Sequence, residues 1–206
     1  MNMFSKKNTD VTEEVIHEPE QKTHPFTEII QFAIIAILIV VPIRMFIAQP
    51  FIVSGASMED TFHSGEYLIV DQLSYYMREP ERGEVIVFRY PRDPSKFFIK
   101  RVIGLPGDTI KIENSTVTII NEENPKGFVL EEPYVEQMTP TDPFEETLGS
   151  REYFVMGDNR DQSSDSRSWG VLQEERIIGR AFLRLFPPQN VGYLPGAVSE
   201  EVVTSS

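Results

Sequence analysis

Phe97-Phe98-Ile99-Lys100-Arg101-Val102-Ile103-Gly104-Leu105-Pro106-Gly107-Asp108 is the stretch from which the fold of this chain can be read. Aromatic and β-branched residues favour a strand, and Pro106-Gly107-Asp108 closes the run with a turn. The same grammar recurs on both sides, in residues 67–70, 85–88, 109–112, 117–120, 153–156 and 177–186. Short strands at regular spacing, without long amphipathic helices, predict a mostly β domain built on an antiparallel sheet. The acidic, proline-punctuated segment 121–151 reads as a long hairpin or surface excursion.

Upstream the pattern changes. Residues 1–28 are polar and mixed in charge, which predicts a flexible tail. From Ile29 to Ile43 the chain is uncharged and almost wholly apolar, and with Arg44 snorkelling the run reaches Ala48. Twenty such residues make a helix of about 30 Å, the thickness of a bilayer core. A buried core helix and a cleaved secretory signal are the alternatives. Against the signal, Glu28 abuts the start and the window before Gln49 reads Phe46-Ile47-Ala48. Lys6, Lys7 and Lys22 precede the run, and no Lys or Arg lies between Arg44 and Arg78, so the lysine count places the N-terminus in the cytoplasm and the rest of the chain outside. The expected organisation is a polar tail (1–28), a single-pass transmembrane anchor (29–48), a β-rich domain (49–190) and a polar C-terminal tail (191–206).

Composition narrows the chemistry. A net charge of −13 argues against nucleic acid as a partner. There is no cysteine, hence no disulfide, thiol nucleophile or thiolate-bound metal. Of three histidines only His63 falls within the β-rich part, so neither a histidine-built metal site nor a histidine-dependent triad is expected unless His63 serves it.

Three segments carry candidate chemistry. In Ser54-Gly55-Ala56-Ser57-Met58-Glu59-Asp60-Thr61, small residues permit a tight turn that exposes Ser57 and aims a backbone N–H at a developing oxyanion. The same residues make an ordinary linker. In the second segment, Lys100 follows three large apolar residues; pointing inward, it would lose its charged form to desolvation and become a general base. Lowering its pKa from about 10.4 to about 7.5 takes roughly 4 kcal/mol, which only a structured site supplies. Otherwise Lys100 or Arg101 is simply the solvent-facing member of a strand. The third segment, Gly157-Asp158-Asn159-Arg160-Asp161-Gln162-Ser163-Ser164-Asp165-Ser166-Arg167, is dense in side chains that hydrogen-bond backbone. It reads as a scaffold of turns, and its spacing does not fit the EF-hand calcium loop. In an extended stretch Asp165 and Arg167 would share a face and could pair, fixing a loop that presents Ser163.

These three segments in this order, behind a membrane anchor, resemble the bacterial type I signal peptidases in their shorter, Gram-positive form. The likeness covers roughly residues 51–186 and is most specific in Lys-Arg-Val-Ile-Gly-Leu-Pro-Gly-Asp and Gly-Asp-Asn-Arg-Asp-x-Ser-x-Asp-Ser-Arg. It implies Ser57 as nucleophile and Lys100 as general base, Ser163 orienting the lysine, and Asp165 and Arg167 bracing the site. Shallow apolar pockets for small residues at substrate positions −1 and −3 would be lined by Phe51, Val53, Met58, Phe62, Phe98 and Ile99. The implied activity is removal of signal peptides from exported preproteins after Ala-x-Ala. The implied partners are those preproteins, membrane lipid and the export machinery, with no cofactor and no metal. Two positions depart from the family pattern: Asp60 stands where proline is usual, and Gly55 where some relatives supply an oxyanion hydroxyl. A catalytically silent relative that binds exported proteins, and a Ser-Lys autoprotease of the self-cleaving repressor kind, are the alternatives.

Overall fold

The structure is a computed structural model that describes residues 25–42, 48–59, 61–140 and 142–198. The chain divides into two units, with the boundary between Ile39 and Val40. The first described element, α1 (Pro25–Pro42), has proline at its start, where the missing N–H leaves no bond unmade, and Glu28 in its first turn. Its apolar side chains, among them Phe32, Ile37 and Leu38, are exposed. Among the described residues no helix is long and apolar enough to cross a membrane. Of the helix expected over 29–48, the part up to Pro42 lies in α1, which begins four residues earlier, and Ala48 belongs to a strand. Residues 43–47, like the 1–24 tail, lie outside the described residues.

The second unit is built almost wholly of antiparallel strands. They are β1 (Ala48–Ile52), β2 (Tyr67–Asp71), β3 (Val85–Arg89), β4 (Phe97–Gly104), β5 (Thr109–Glu113), β6 (Thr116–Ile120), β7 (Phe128–Val129), β8 (Phe144–Thr147), β9 (Glu152–Met156), β10 (Leu172–Gln173), β11 (Ile177–Phe186) and β12 (Gly192–Tyr193), with a one-turn helix α2 (Ser166–Trp169) before β10. The larger sheet has the order β1-β2-β11-β3-β4-β9-β10, with β12 added to β11; the smaller is β7-β6-β5-β8. Every pairing is antiparallel. All seven strand runs read from the sequence are present. The 121–151 excursion contributes β7 and β8 to the small sheet, so it is more than a surface loop.

Burial explains the strands. In β3, Val85, Ile86, Val87 and Phe88 are all buried, the continuous apolar run of a strand covered on both faces. On one side Ile86, Phe88, Val102, Tyr153, Val155 and Leu172 form a core; on the other Val53, Met58, Phe62, Leu68, Val85 and Ala181 form a second. A third, around Ile103, Ile110, Ile112, Ile119 and Phe154, holds the small sheet. Each such side chain contributes roughly 1.5–3 kcal/mol by leaving water. The β5–β6 hairpin turns on Asn114 and Ser115, both with positive φ (49° and 66°), the two-residue geometry that matches strand twist. Within the segment 191–206 expected as a polar tail, β12 pairs with β11, Leu194 N–H donates to the Phe182 carbonyl at 2.8 Å, and Val198 packs on the small-sheet core, while 199–206 lie outside the described residues.

Candidate active site

Lys100 sits in the middle of β4, its neighbour on β3 being Ile86. Beyond Lys100 the strand pairs with β9 from Arg101 onward, whereas Phe97–Lys100 has β3 on one side only. Ser57 lies in the turn between β1 and β2, whose entry Gly55 has φ +102°, a conformation that glycine alone adopts without strain. A Cβ at Gly55 would meet nothing within 4 Å, so the backbone angle, not space, demands glycine there.

The two segments meet. The Nζ of Lys100 donates to Ser57 Oγ at 2.5 Å and to the Ile99 carbonyl at 2.9 Å. Only 3% of Lys100 is exposed. That burial pulls its pKa down to about 8, against the opposing pull of the Asp165 and Asp158 carboxylates. Deprotonation reverses the hydrogen bond, and the hydroxyl then donates to a free amine.

The loop after β9 packs against Ser57. Asn159 N–H donates to the Ser57 carbonyl at 3.2 Å. Gly157 is packed so tightly that an added Cβ would come within 2.3 Å of both that carbonyl and Ser163 Oγ. Asp165 is fully buried and accepts from Gly157 N–H (3.1 Å) and from Arg167 Nε and Nη2 (2.8 Å each). Arg167 also donates to the Arg160 carbonyl at 2.6 Å. The expected Asp165–Arg167 pair is therefore present, but its geometry is a helix cap and not a shared strand face: Asp165 is the N-cap of α2 and accepts from Arg167 N–H. Ser163 is brought to the site, yet its Oγ is buried and without a hydrogen-bond partner among the described residues, so the contact expected with Lys100 is not made.

A cleft of about 480 Å³ runs from Phe51 past Ser57 to Phe97 and Lys100. Phe51, Val53, Phe98 and Ile99 line it as expected. Met58 and Phe62 do not: they are 1% and 0% exposed, packed into the core beneath. An apolar residue near Ser57 serves core or cleft equally well, and sequence cannot separate the two. Leu68 and Val87 line the cleft instead, with Gln162 and Ser164 near its polar end. His63 lines a different cleft, 3.8 Å from Glu66. Asp60 lies outside the described residues.

Sequence reasoning missed the ion pair under the loop. Arg101, 1% exposed, donates through Nε and Nη2 to Asp158 (2.8 and 2.6 Å) and through Nη1 to the Gly83 and Gly196 carbonyls. Thr61 Oγ1 donates to the same carboxylate at 2.5 Å. Alternation along β4, which turns Arg101 away from Lys100, was the available signal.

The profile of the family described as signal peptidase, peptidase S26, matches residues 26–186. Signal peptidase I T of Bacillus subtilis is 34% identical over 197 residues, covering 90% of this chain and 96% of its own. Signal peptidase I of Leptolyngbya laminosa is 34% identical over 177 residues, covering 82% and 84%. The crystal structure of a signal peptidase I from Enterococcus faecalis is 31% identical over 50% of this chain and 97% of that one, with a TM-score of 0.42. By class the molecule is a hydrolase, a serine endopeptidase. More narrowly, the chain belongs to the signal peptidase family, peptidase S26, as the resemblance implied.

Proposed function

We propose that this chain removes signal peptides from exported preproteins after small residues, with Ser57 as nucleophile and Lys100 as its general base. The observation that carries this is the 2.5 Å contact between Lys100 Nζ and Ser57 Oγ in a buried setting that lowers the lysine pKa to about 8. Neutral Lys100 takes the hydroxyl proton as Oγ attacks the carbonyl, returns it to the leaving amine, and then activates the water that releases the acyl-enzyme. Backbone N–H groups near Ser57 hold the oxyanion, Gly55 having no side chain to help. Asp165 and Arg167 brace the loop, and Ser163, whose Oγ has no partner among the described residues, would turn toward the lysine to steady it between steps.

The free side of Phe97–Lys100 suits an extended substrate that pairs as an added strand. Phe51, Val53, Phe98 and Ile99 leave room for small side chains at −1 and −3, which is the Ala-x-Ala preference. The apolar run 29–48 is read as the membrane anchor, N-terminus inside, and the exposed apolar side chains of α1 are what lipid would cover. Phe51 and Ile52 would seat the β domain on the lipid surface, where anchored enzyme meets anchored substrate at high effective concentration; Val53, beside them in sequence, is buried in the core and cannot take part.

Cleavage of a preprotein ending in Ala-x-Ala by detergent-solubilised protein tests the reading. Loss of cutting in Ser57→Ala and Lys100→Met supports it; cutting by Ser57→Ala removes Ser57 as nucleophile. An inert wild type rescued by Asp60→Pro would identify a silenced relative.

A further inference from the structure

None of residues 157–167 belongs to the three apolar cores among the described residues. The loop that packs against Ser57 is therefore held by polar contacts, and several of these come from outside it. A strap, residues 131–140, crosses from β7 toward β8. Its near end is tied to the small sheet where Leu130 N–H donates to the Val117 carbonyl at 2.8 Å and Leu130 is buried. Farther along, Ser115 Oγ donates to the Met138 carbonyl at 2.8 Å, and Met138 packs on the same core.

From this base the strap grips the loop. Arg160, 1% exposed in its side chain, forms a bidentate pair with Glu132, one arm at 2.8 Å, while its Nε donates to the Gly157 carbonyl at 3.1 Å. Tyr134 donates to Glu132 at 3.1 Å and lies against the Arg101 guanidinium, 3.8 Å from its ring centre. Thr139 donates to Asp161 through both N–H (2.9 Å) and Oγ1 (2.8 Å). These bonds hold the Asp161 carboxyl below the usual carboxylate range. One short line thus runs from Glu132 through Arg160 to Gly157, the residue with no room to spare against Ser57.

We propose that Glu132 is a positioning residue: through Arg160, and with Thr139 on Asp161, the strap holds the loop 157–167 against the Ser57–Lys100 pair. The small sheet thereby serves catalysis without touching substrate. This rests on the dyad reading above.

The test compares Glu132→Gln, Thr139→Val and Thr139→Ser with wild type on the Ala-x-Ala preprotein, following kcat, KM, melting temperature and pH profile. Ser57→Ala is run beside them. A displaced loop misplaces the dyad, so kcat falls about tenfold or more in Glu132→Gln with KM within about twofold. Thr139→Val shows a smaller fall that Thr139→Ser restores. Water reaching Lys100, which faces the Ser57 hydroxyl, the Ile99 carbonyl and the Asp158 and Asp165 carboxylates, moves the acid limb of the profile to higher pH. A lowered melting temperature with kcat and acid limb unmoved in both Glu132→Gln and Thr139→Val overturns the positioning role. Cutting by Ser57→Ala overturns the dyad reading and this proposal with it, an outcome distinct from the first.

Discussion

Lys100 Nζ and Ser57 Oγ lie 2.5 Å apart although 43 residues separate them in the chain, and the amine is almost sealed from water. Burial lowers its pKa from 10.5 to about 8. Activity should therefore rise with pH through a limb near 8, as the ammonium gives up its proton. The unfolded chain binds more protons than the folded one between about 8 and 10.5, so this group makes the fold more stable as pH rises through that window, and below it the full penalty of the buried charge persists. Lys100→Met should abolish cleavage while raising stability at pH 7 by up to about 3 kcal/mol, read by urea unfolding. An unchanged or lower midpoint would mean that the lysine is not held at a cost.

The buried pair of Arg101 and Asp158 behaves oppositely. Removing one partner strands a charge in the interior, so Asp158→Ala should destabilise by about 3–5 kcal/mol. Arg101→Ala should cost at least as much, since its guanidinium also serves the Gly83 and Gly196 carbonyls. The double variant should lose clearly less than the sum of the singles, as for any pair in direct contact. Additive losses in denaturant melts would contradict the geometry.

Why the Ser57–Lys100 contact was legible and this pair was not is a matter of what leaves a trace in a linear sequence. Strands such as 85–88 and 177–186 announce themselves by composition and by the turns around them. β1 does not: Ala48–Ile52 follows an apolar run and contains Pro50, and it becomes a strand only because β2 offers a partner for every residue. Two-residue strands such as β7, β10 and β12 carry no pattern. Ser57, Lys100 and the loop residues came from a motif, whereas Arg101 and Asp158, 57 positions apart, meet through the β4–β9 pairing, and no spacing rule encodes that. Asp165 and Arg167 were rightly paired for the wrong geometry, because a one-turn helix looks like a loop until its cap is seen.

Ser163 offers a test that separates chemistry from structure. Its hydroxyl is buried with no partner among the described residues, an arrangement that costs about 1–3 kcal/mol, so Ser163→Ala should leave the melting temperature unchanged or raise it. If that hydroxyl steadies Lys100 during turnover, kcat should still fall by about tenfold or more, within the range of a lost oriented hydrogen bond. Full activity in Ser163→Ala would remove the serine from the mechanism.

Gly157 gives the sharpest steric prediction. A methyl group there would overlap the Ser57 carbonyl and Ser163 Oγ, each 2.3 Å from the ideal Cβ position, so one of them must move. Ser163 Oγ ends a side chain that borders a second cleft and can rotate, whereas the Ser57 carbonyl is backbone tied to Asn159 N–H, so a methyl at 157 still presses on the backbone of Ser57. Gly157→Ala should thus push the nucleophile off its line with Lys100. A displacement of about 1 Å at a reacting atom can cost about 10²-fold in rate, so kcat should fall by that order while KM stays close to wild type. The apolar residues of the cleft, Phe51, Val53, Phe98 and Ile99, are not touched by the change. A rise in KM with kcat preserved would mean that the loop yields as a body and that the glycine guards the cleft instead of the nucleophile.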